Sequence, residues 1–294
     1  MLARKLTLSQ KNGLIGWLFL ATAAIMIGMM SFFPMISGFF IALQTGAGVN
    51  MRFAGLSNFE RLLVDPLFRG VISNNFLYLA IQVPIMLVLA LILASMLNNP
   101  KLRFKGLFRT CIFLPCATSL VSSAVIFRSL FATNGYINTV LVNLGILESS
   151  YNFLGNTWSA RMVIIIAITW RWTGFNMVFY LAGLQNIERS IFEAAKIDGA
   201  SVVQTFFKIT IPLLKPIILL TAIMATNGTL QLFDESMNLT MGGPANTSMT
   251  ISHYIFNVGF QGTANFGYAA ALSYVVFILV ATMSLIQLKV VDRR

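Results

Sequence analysis

Six long apolar stretches constrain the fold of this chain more than any other feature of its sequence. They cover residues 14–43, 71–97, 107–131, 162–184, 212–233 and 268–290. Each is long enough to cross a bilayer as a helix, which takes about 20 mostly apolar residues. Only 10% of the 294 residues are charged, against about 25% in soluble domains. The sequence therefore predicts an all-α integral membrane protein with six transmembrane helices, in a single domain over residues 1–294.

Lysine and arginine residues predict the orientation of these helices. Fourteen of them lie at the two chain ends and in or at the edges of the second-to-third and fourth-to-fifth connections. The other three connections hold 4. Cytoplasmic segments collect positive charge, so we expect both termini in the cytoplasm of a multi-pass protein of the cell (inner or plasma) membrane. The same rule accounts for the net charge of +11 without a nucleic-acid partner. The first stretch far exceeds the roughly 7–15 residues of a signal-peptide core, which predicts a retained helix.

A more polar stretch in the fourth-to-fifth connection, EAAKIDGASVVQTFFKITIP from Glu193, has regular helix signals. Ser190 with Glu193, and Ser201 with Gln204, have the spacing of capping boxes, in which two residues satisfy the first free amides of a helix. Gly199 between them can adopt the left-handed conformation that ends a helix. The pattern predicts two short helices joined by a glycine corner on the cytoplasmic side. Such a corner could transfer force from a soluble partner to the membrane helices. The same pattern is equally typical of an ordinary capped helix at the membrane interface.

The spacing of this stretch resembles the EAA loop of the permeases of bacterial and archaeal ABC importers. The matching positions are Glu193, Ala194, Ala195, Gly199, Ile209, Ile211 and Pro212, with isoleucine at position 211 where leucine is usual. FAGLSNFERLLVDPLF from Phe53, WRWTGFNMVFYLAGLQNIERSIFEAAKIDGAS from Trp170 and LTMGGP from Leu239 resemble the carbohydrate branch, akin to permeases for maltose, lactose and glycerol-phosphate. The resemblance implies the type I importer permease fold in its shorter six-span form, with a coupling loop at residues 186–211.

The same resemblance implies an assembly. In this family the loop forms coupling helices that dock in a cleft of the ATPase subunit, and the positions implied here are Glu193, Ala194, Ala195, Asp198, Gly199 and Ala200. We expect Glu193 to support the corner by a salt bridge or a cap, and Gly199 to form the turn. The implied partners are a second homologous permease, two ATP-binding subunits, an extracytoplasmic solute-binding protein, membrane lipid and a sugar.

This chain is itself expected to be non-catalytic and to bind no cofactor, with ATP and Mg²⁺ held by the ATPase subunits. It lacks the GxxxxGK[ST] loop that holds nucleotide phosphates. Two cysteines and one histidine give no metal-binding spacing, so no metal site is expected.

Polar and aromatic side chains in the fourth and fifth stretches predict a solute pathway. Asn176, Asn227, Thr229 and Gln231 put hydrogen-bonding groups at membrane depth, where an unsatisfied group is costly. Matching to the family's contact positions gives Trp170, Thr173, Gly174, Met177, Ala225, Gly228, Thr229 and Leu232. The predicted pathway is Trp170, Thr173, Gly174, Asn176, Met177, Asn227, Gly228, Thr229 and Gln231, with Trp172 and Phe175 as further aromatic faces. Taken singly, each residue also fits ordinary contacts between membrane helices.

Two other classes of function fit parts of the sequence. An ion-coupled secondary sugar carrier would need no ATPase, but it usually has a carboxylate deep in a span, and Asp234 stands only at the end of one. A membrane-embedded enzyme would need a cluster of acid, base or nucleophile, whereas this chain has one histidine and scattered carboxylates. Within the importer class, a phosphorylated polyol or another small polar solute is the alternative cargo.

Overall fold

The computed structural model describes residues 7–47 and 50–292. The helices, in chain order, are α1 Leu8–Ile27, α2 Phe33–Ala42, α3 Ser57–Val64, α4 Pro66–Leu97, α5 Lys105–Ala117, α6 Leu120–Leu130, α7 Tyr136–Asn143, α8 Thr157–Gln185, α9 Arg189–Ile197, α10 Val202–Thr205, α11 Ile211–Leu230, α12 Ile251–Phe260 and α13 Phe266–Asp292. The π-helical turns are Gly28–Phe32, Phe206–Thr210 and Ser236–Thr240, and the strands are β1 Gln44–Ala47 and β2 Asn50–Phe53, paired antiparallel. The first two π-turns join α1 to α2, and α10 to α11, into continuous helices.

Long apolar helices dominate the part of the chain that the structure describes. Five are long and apolar enough to cross a membrane, namely Lys11–Ala42, Pro66–Leu97, Thr157–Gln185, Val202–Leu230 and Phe266–Val290. The remaining predicted stretch, the third in chain order, is the pair α5 and α6, which is bent by 98°. Counted as one broken span, this pair brings the number of apolar crossings to six. The predicted helical membrane class is confirmed.

Contacts divide the chain into two compact units. The first comprises the described residues up to Leu63 together with Val258–Tyr274. Within it, the buried Asn58 of α3 donates from Nδ2 to the carbonyl oxygen of Ala42 at 2.8 Å and to that of Gln44 at 2.7 Å. Asn58 therefore fastens α3 to the end of the first long helix.

The second unit comprises residues 64–257 and 275–292, and α4 packed against α8 forms its centre. One buried apolar cluster surrounds Tyr78 and Ile164, and another surrounds Met177 and Tyr180. Helices α5 and α8 approach closely at Gly174, where an added Cβ would lie 2.0 Å from the carbonyl oxygen of Ile112.

Side chains of α4 hold the segment between α11 and α12, residues 231–250, by hydrogen bonds to its backbone. Asn74 Nδ2 donates to the carbonyl oxygen of Met249 at 2.8 Å, and Tyr78 Oη donates to that of Ser248 at 3.1 Å. Both side chains are buried. Because a buried backbone group without a partner is costly, these bonds fix the course of the segment.

The ends of this segment are tied down in the same way. Asn75 Nδ2 donates to the carbonyl oxygen of Leu230 at 3.0 Å, and Asn75 Oδ1 accepts from the amide of Ile251 at 2.9 Å. Arg161 of α8 donates from Nε to the carbonyl oxygen of Thr247 at 2.9 Å. One asparagine thus bridges the end of α11 and the start of α12.

Gly174→Ala is expected to destabilise the fold by about 1–3 kcal/mol, because the added methyl group forces α5 and α8 apart. Thermal unfolding in lipid nanodiscs measures the effect. Gly70→Ala on α4 is the matched control, since nothing lies within 4 Å of its added Cβ. The control should unfold at the same temperature or higher, because alanine favours a helix over glycine. Equal unfolding temperatures for Gly174→Ala and the unchanged protein would contradict this close approach.

Candidate functional site

A cavity of about 540 Å³ lies between α4, α8, α11 and the start of the segment that follows α11. Its size falls within the roughly 300–1,000 Å³ that is typical of small-molecule sites. The lining combines aromatic, polar, acidic and apolar side chains. These are Gln82, Met86, Leu120, Ile168, Trp172, Phe175, Asn176, Met224, Ala225, Gly228, Thr229, Gln231, Leu232, Phe233, Asp234 and Glu235.

Three buried polar side chains from three helices meet on the cavity wall. Thr229 Oγ1 donates to Gln82 Oε1 at 3.1 Å. Gln82 Nε2 lies 3.2 Å from the sulfur of Met86, and Asn176 Nδ2 lies 3.6 Å from the same sulfur. Asn176 Nδ2 also donates to the carbonyl oxygen of Trp172 at 2.9 Å. An amide nitrogen has two hydrogens and a thioether is a weak acceptor, so each amide can donate one hydrogen more strongly to an oxygen of a solute.

Two carboxyl groups also line the cavity. Glu235 is only 7% exposed, while Asp234 is partly buried. Burial raises the pKa of the Glu235 carboxyl; its own backbone amide opposes this shift, Asp234 adds to it, and the Arg171 guanidinium opposes it. Sequence reasoning missed Glu235, since it stands two residues beyond the fifth apolar stretch, on a segment without helical periodicity.

Arg171 of α8 holds the bend between α5 and α6. Its Nη2 donates to the carbonyl oxygen of Thr118 at 2.6 Å, and its Nη1 donates to Ser123 Oγ at 2.8 Å. Thr118 caps the C-terminal end of α5, where a cation is also favoured by the helix dipole. The predicted stretch 107–131 is therefore broken rather than continuous, and the break brings Leu120 to the cavity wall.

Four of the nine predicted pathway residues line the cavity, namely Asn176, Gly228, Thr229 and Gln231. The other five lie elsewhere: Trp170 packs on Phe127, Thr173 donates to the carbonyl oxygen of Thr169, Gly174 faces α5, Met177 is buried in the core, and Asn227 accepts from Ser284. Trp172 and Phe175, the further aromatic faces, also line it. Helix geometry explains the split, since neighbours in sequence point to different sides of a helix.

The predicted glycine corner is present at the end of α9. Gly199 has a φ of +74°, in the left-handed region. Its amide donates to the carbonyl oxygen of Lys196 at 3.2 Å, and the amide of Ala200 donates to that of Ala195 at 2.9 Å. This pair of bonds is a Schellman motif, which satisfies the last carbonyls of α9.

One of the two predicted capping boxes is confirmed. Ser201 Oγ accepts from the amide of Gln204 at 3.2 Å, and Gln204 Oε1 accepts from the amide of Ser201 at 2.8 Å. The box predicted at Ser190 and Glu193 is wrong, because α9 begins directly after Glu188 and no side chain caps it. Glu193 is exposed and has no ion-pair partner within the described ranges. Beyond the corner, α10 runs on into α11 rather than ending as a short helix.

The corner presents an exposed apolar surface. Ile197 is 86% exposed, Val202 is 87% exposed and Val203 is 65% exposed. Of the other predicted coupling residues, Ala194 and Asp198 are exposed, whereas Ala195 is buried. Apolar side chains grouped at one projecting point are typical of an interaction surface.

Comparison with known proteins decides the family. The family described as "Binding-protein-dependent transport system inner membrane component" matches residues 86–294. The chain belongs to this family. The prediction of an importer permease is thereby confirmed, and the protein is a multi-pass membrane component of a transport system.

Curated relatives and a solved structure extend the comparison. The permease is 50% identical to the lactose transport system permease protein of Rhizobium radiobacter over 274 residues, 92% of each chain. It is 32% identical to the arabinooligosaccharides permease of Halalkalibacterium halodurans, over 88% of this chain and 82% of that one. A bacterial ABC transporter involved in the import of the acidic polysaccharide alginate has the same fold, with a TM-score of 0.84 and 22% identity over 96% of each chain.

Arg171→Lys is expected to loosen the bend of the permease, because lysine has a single terminal nitrogen and lacks the planar fork with which Arg171 contacts Thr118 and Ser123. The lost bonds involve a charged group and are worth about 1.5–3 kcal/mol each. In a Cys111→Ser background Cys116 is the sole thiol of the chain, so its rate of alkylation reports the opening and should rise several-fold. Arg128→Lys, at an exposed position on α6, should leave the rate unchanged. Equal rates in both variants would contradict the role of Arg171.

Proposed function

We propose that this permease is the membrane-spanning subunit of an ATP-driven importer that translocates a sugar or sugar derivative delivered by a solute-binding protein. The observation that carries the proposal is the cavity, which combines aromatic faces with convergent polar side chains. The relatives at 50% and 32% identity are named as permeases for lactose and for arabinooligosaccharides, which supports a sugar as the cargo.

The cavity wall fits a hydroxylated ring. Trp172 and Phe175 pack edge to face with ring centroids 5.8 Å apart, so both present apolar surface beside the amide of Asn176. The C–H faces of a sugar pack on such rings, while its hydroxyl oxygens accept from amide donors. Gln82 and Asn176 supply those donors, since each directs one amide hydrogen to the weakly accepting sulfur of Met86. Asn176 directs its other amide hydrogen to the carbonyl oxygen of Trp172.

The proposed assembly contains four kinds of component besides the sugar. This permease pairs with a second, homologous permease, and two ATP-binding subunits dock on the cytoplasmic side. An extracytoplasmic solute-binding protein delivers the cargo. The permease does not hydrolyse ATP and binds no cofactor, because ATP and Mg²⁺ belong to the ATP-binding subunits.

The bias of 14 to 4 in Lys and Arg supports a cytoplasmic position for both termini and for the corner around Gly199. The exposed Ile197, Val202 and Val203 then face the ATP-binding subunit as the docking surface. Ala194, Ala195, Asp198 and Ala200 build the corner, and Glu193 is placed to meet the partner, since it is exposed. ATP binding draws the subunits together and moves the corner, and α10–α11 carries the motion to Gly228 and Thr229 on the cavity wall.

A secondary carrier is the competing function, and Glu235 is the observation that favours it. A buried carboxyl group on the cavity wall is a group that ion-coupled transport uses. Family membership favours the ATP-driven importer. Uptake in the absence of ATP distinguishes the two functions, because only a secondary carrier would show it.

The reconstituted importer is expected to hydrolyse ATP only when both permeases, both ATP-binding subunits and the loaded binding protein are present. Coupling is reciprocal, so the loaded binding protein favours the ATP-closed state as ATP favours release of the sugar. ATPase activity and sugar uptake into proteoliposomes are measured with a panel that begins with lactose. Uptake by this chain alone, in vesicles without ATP, would overturn the proposal in favour of the carrier.

Gly199→Val is expected to abolish most of the sugar-stimulated ATPase activity while leaving membrane insertion intact. A β-branched residue at a φ of +74° distorts the turn at a cost of about 1–2 kcal/mol, so the corner no longer fits its partner. Gly145→Val is the matched control, because Gly145 has a φ of +71° with nothing within 4 Å, as at Gly199, but lies in another connection. Full stimulation in Gly199→Val would argue against coupling through the corner.

A further inference from the structure

One side of the cavity is lined by two carboxyl groups, and the lining contains no lysine or arginine to balance their negative charge. Asp234 and Glu235 are adjacent in sequence, and both contribute to the wall. The remaining lining residues are uncharged. A solute in this cavity therefore meets carboxyl groups and no lysine or arginine.

The carboxyl group of Glu235 is buried and has few hydrogen-bond partners in the described part of the chain. It is only 7% exposed, yet apart from its own backbone amide its carboxyl group has no hydrogen-bond or ion-pair partner among residues 7–47 and 50–292. A buried carboxyl group without partners is costly, and a bound ligand with hydroxyl donors removes that cost.

Arg171 is the nearby cation, and it forms no ion pair with the acidic side chains of the cavity. Arg171 is 5% exposed, donates from Nη1 to Ser123 Oγ and from Nη2 to the carbonyl oxygen of Thr118 across the bend, and is not one of the lining residues. Both terminal nitrogens are therefore engaged at the bend after α5, and Arg171 adds no positive charge to the cavity lining itself.

We propose that the cavity accepts uncharged saccharides and rejects anionic ones, such as uronic acids and phosphorylated sugars, with Asp234 and Glu235 as the residues that determine this specificity. The inference rests on the proposed function, whose cargo class it narrows. Carboxyl oxygens accept hydrogen bonds from neighbouring hydroxyl groups of a neutral sugar, and such bonds are short and strong when the acceptor is charged. An anionic solute instead meets the charge of Asp234 at low dielectric constant, and its own charge adds to the cost of ionising the buried Glu235. The site therefore disfavours anionic solutes.

The fold itself does not decide the charge of the cargo. The solved transporter with this fold imports an acidic polysaccharide, at only 22% identity to this chain. Charge preference therefore lies in the side chains of the wall rather than in the helix arrangement.

The test compares two probes of equal size on the complete importer in lipid nanodiscs, without the binding protein. The probes are lactose and its analogue in which the galactose hydroxymethyl group is oxidised to a carboxylate. Dissociation constants come from isothermal titration and from tryptophan fluorescence, which Trp172 on the cavity wall makes sensitive to occupancy. Lactose is expected to bind at least about tenfold more tightly than the carboxylate, as like-charge contacts are strongly unfavourable.

Glu235→Gln and Asp234→Asn keep the shape of each side chain and remove its ability to carry a negative charge. Each should lower the ratio of the two dissociation constants several-fold, and the double variant should bring it close to one. Glu148→Gln is the matched control, since Glu148 is exposed and outside the cavity lining, and it should keep the ratio of the unchanged protein.

Equal binding of the two probes by the unchanged importer would overturn the inference, as would a ratio that neither variant alters. Failure of both probes to bind would also overturn it. The proposed function is tested by a different measurement. It fails if the importer shows no ATP-dependent uptake of sugar from the loaded binding protein, whatever the ratio of the two dissociation constants.

Discussion

The segment at residues 231–250 imposes the constraint on which the rest of the second unit depends. Its buried backbone is only partly helical, and each buried amide or carbonyl left unpaired costs about 1–3 kcal/mol. Asn74, Asn75 and Tyr78 of α4 meet this need with hydrogen bonds to the backbone of the segment and of the helix ends that flank it. These bonds position both ends of the segment that carries Asp234 and Glu235.

The bend between α5 and α6 is stabilised in the same way, by a side chain that bonds to a freed backbone group. A carbonyl freed by the break would be costly in an apolar environment, and Arg171 reaches from α8 to satisfy it. The guanidinium is itself stabilised there, since Ser123 accepts from it and α5 directs its negative end towards it. The bend thus provides acceptors for the buried guanidinium of Arg171, and the guanidinium provides a donor for the carbonyl oxygen that the bend leaves free.

A single helix connects the proposed docking corner with the cavity. From Val202 to Gly228 the chain is helical without interruption, which at 1.5 Å per residue spans about 40 Å. One end carries the exposed apolar corner, and the other lines the cavity beside Asp234 and Glu235. Because the π-turn keeps the two parts continuous, the corner and the cavity wall lie on one helix rather than on two helices joined by a linker.

The sequence by itself determined the membrane class, the apolar stretches and the corner at Gly199, because hydropathy, capping and left-handed turns depend on residues close together in the chain. It also placed Asn176, Gly228, Thr229 and Gln231 in a pathway, and the structure brings these four to one cavity. Only the tertiary structure decided that the third stretch bends, that Met177 is buried in the core, and that Glu235 lines the cavity. The physical reason is that each of these depends on partners distant in sequence, such as Arg171 for the bend, whose positions no local pattern encodes.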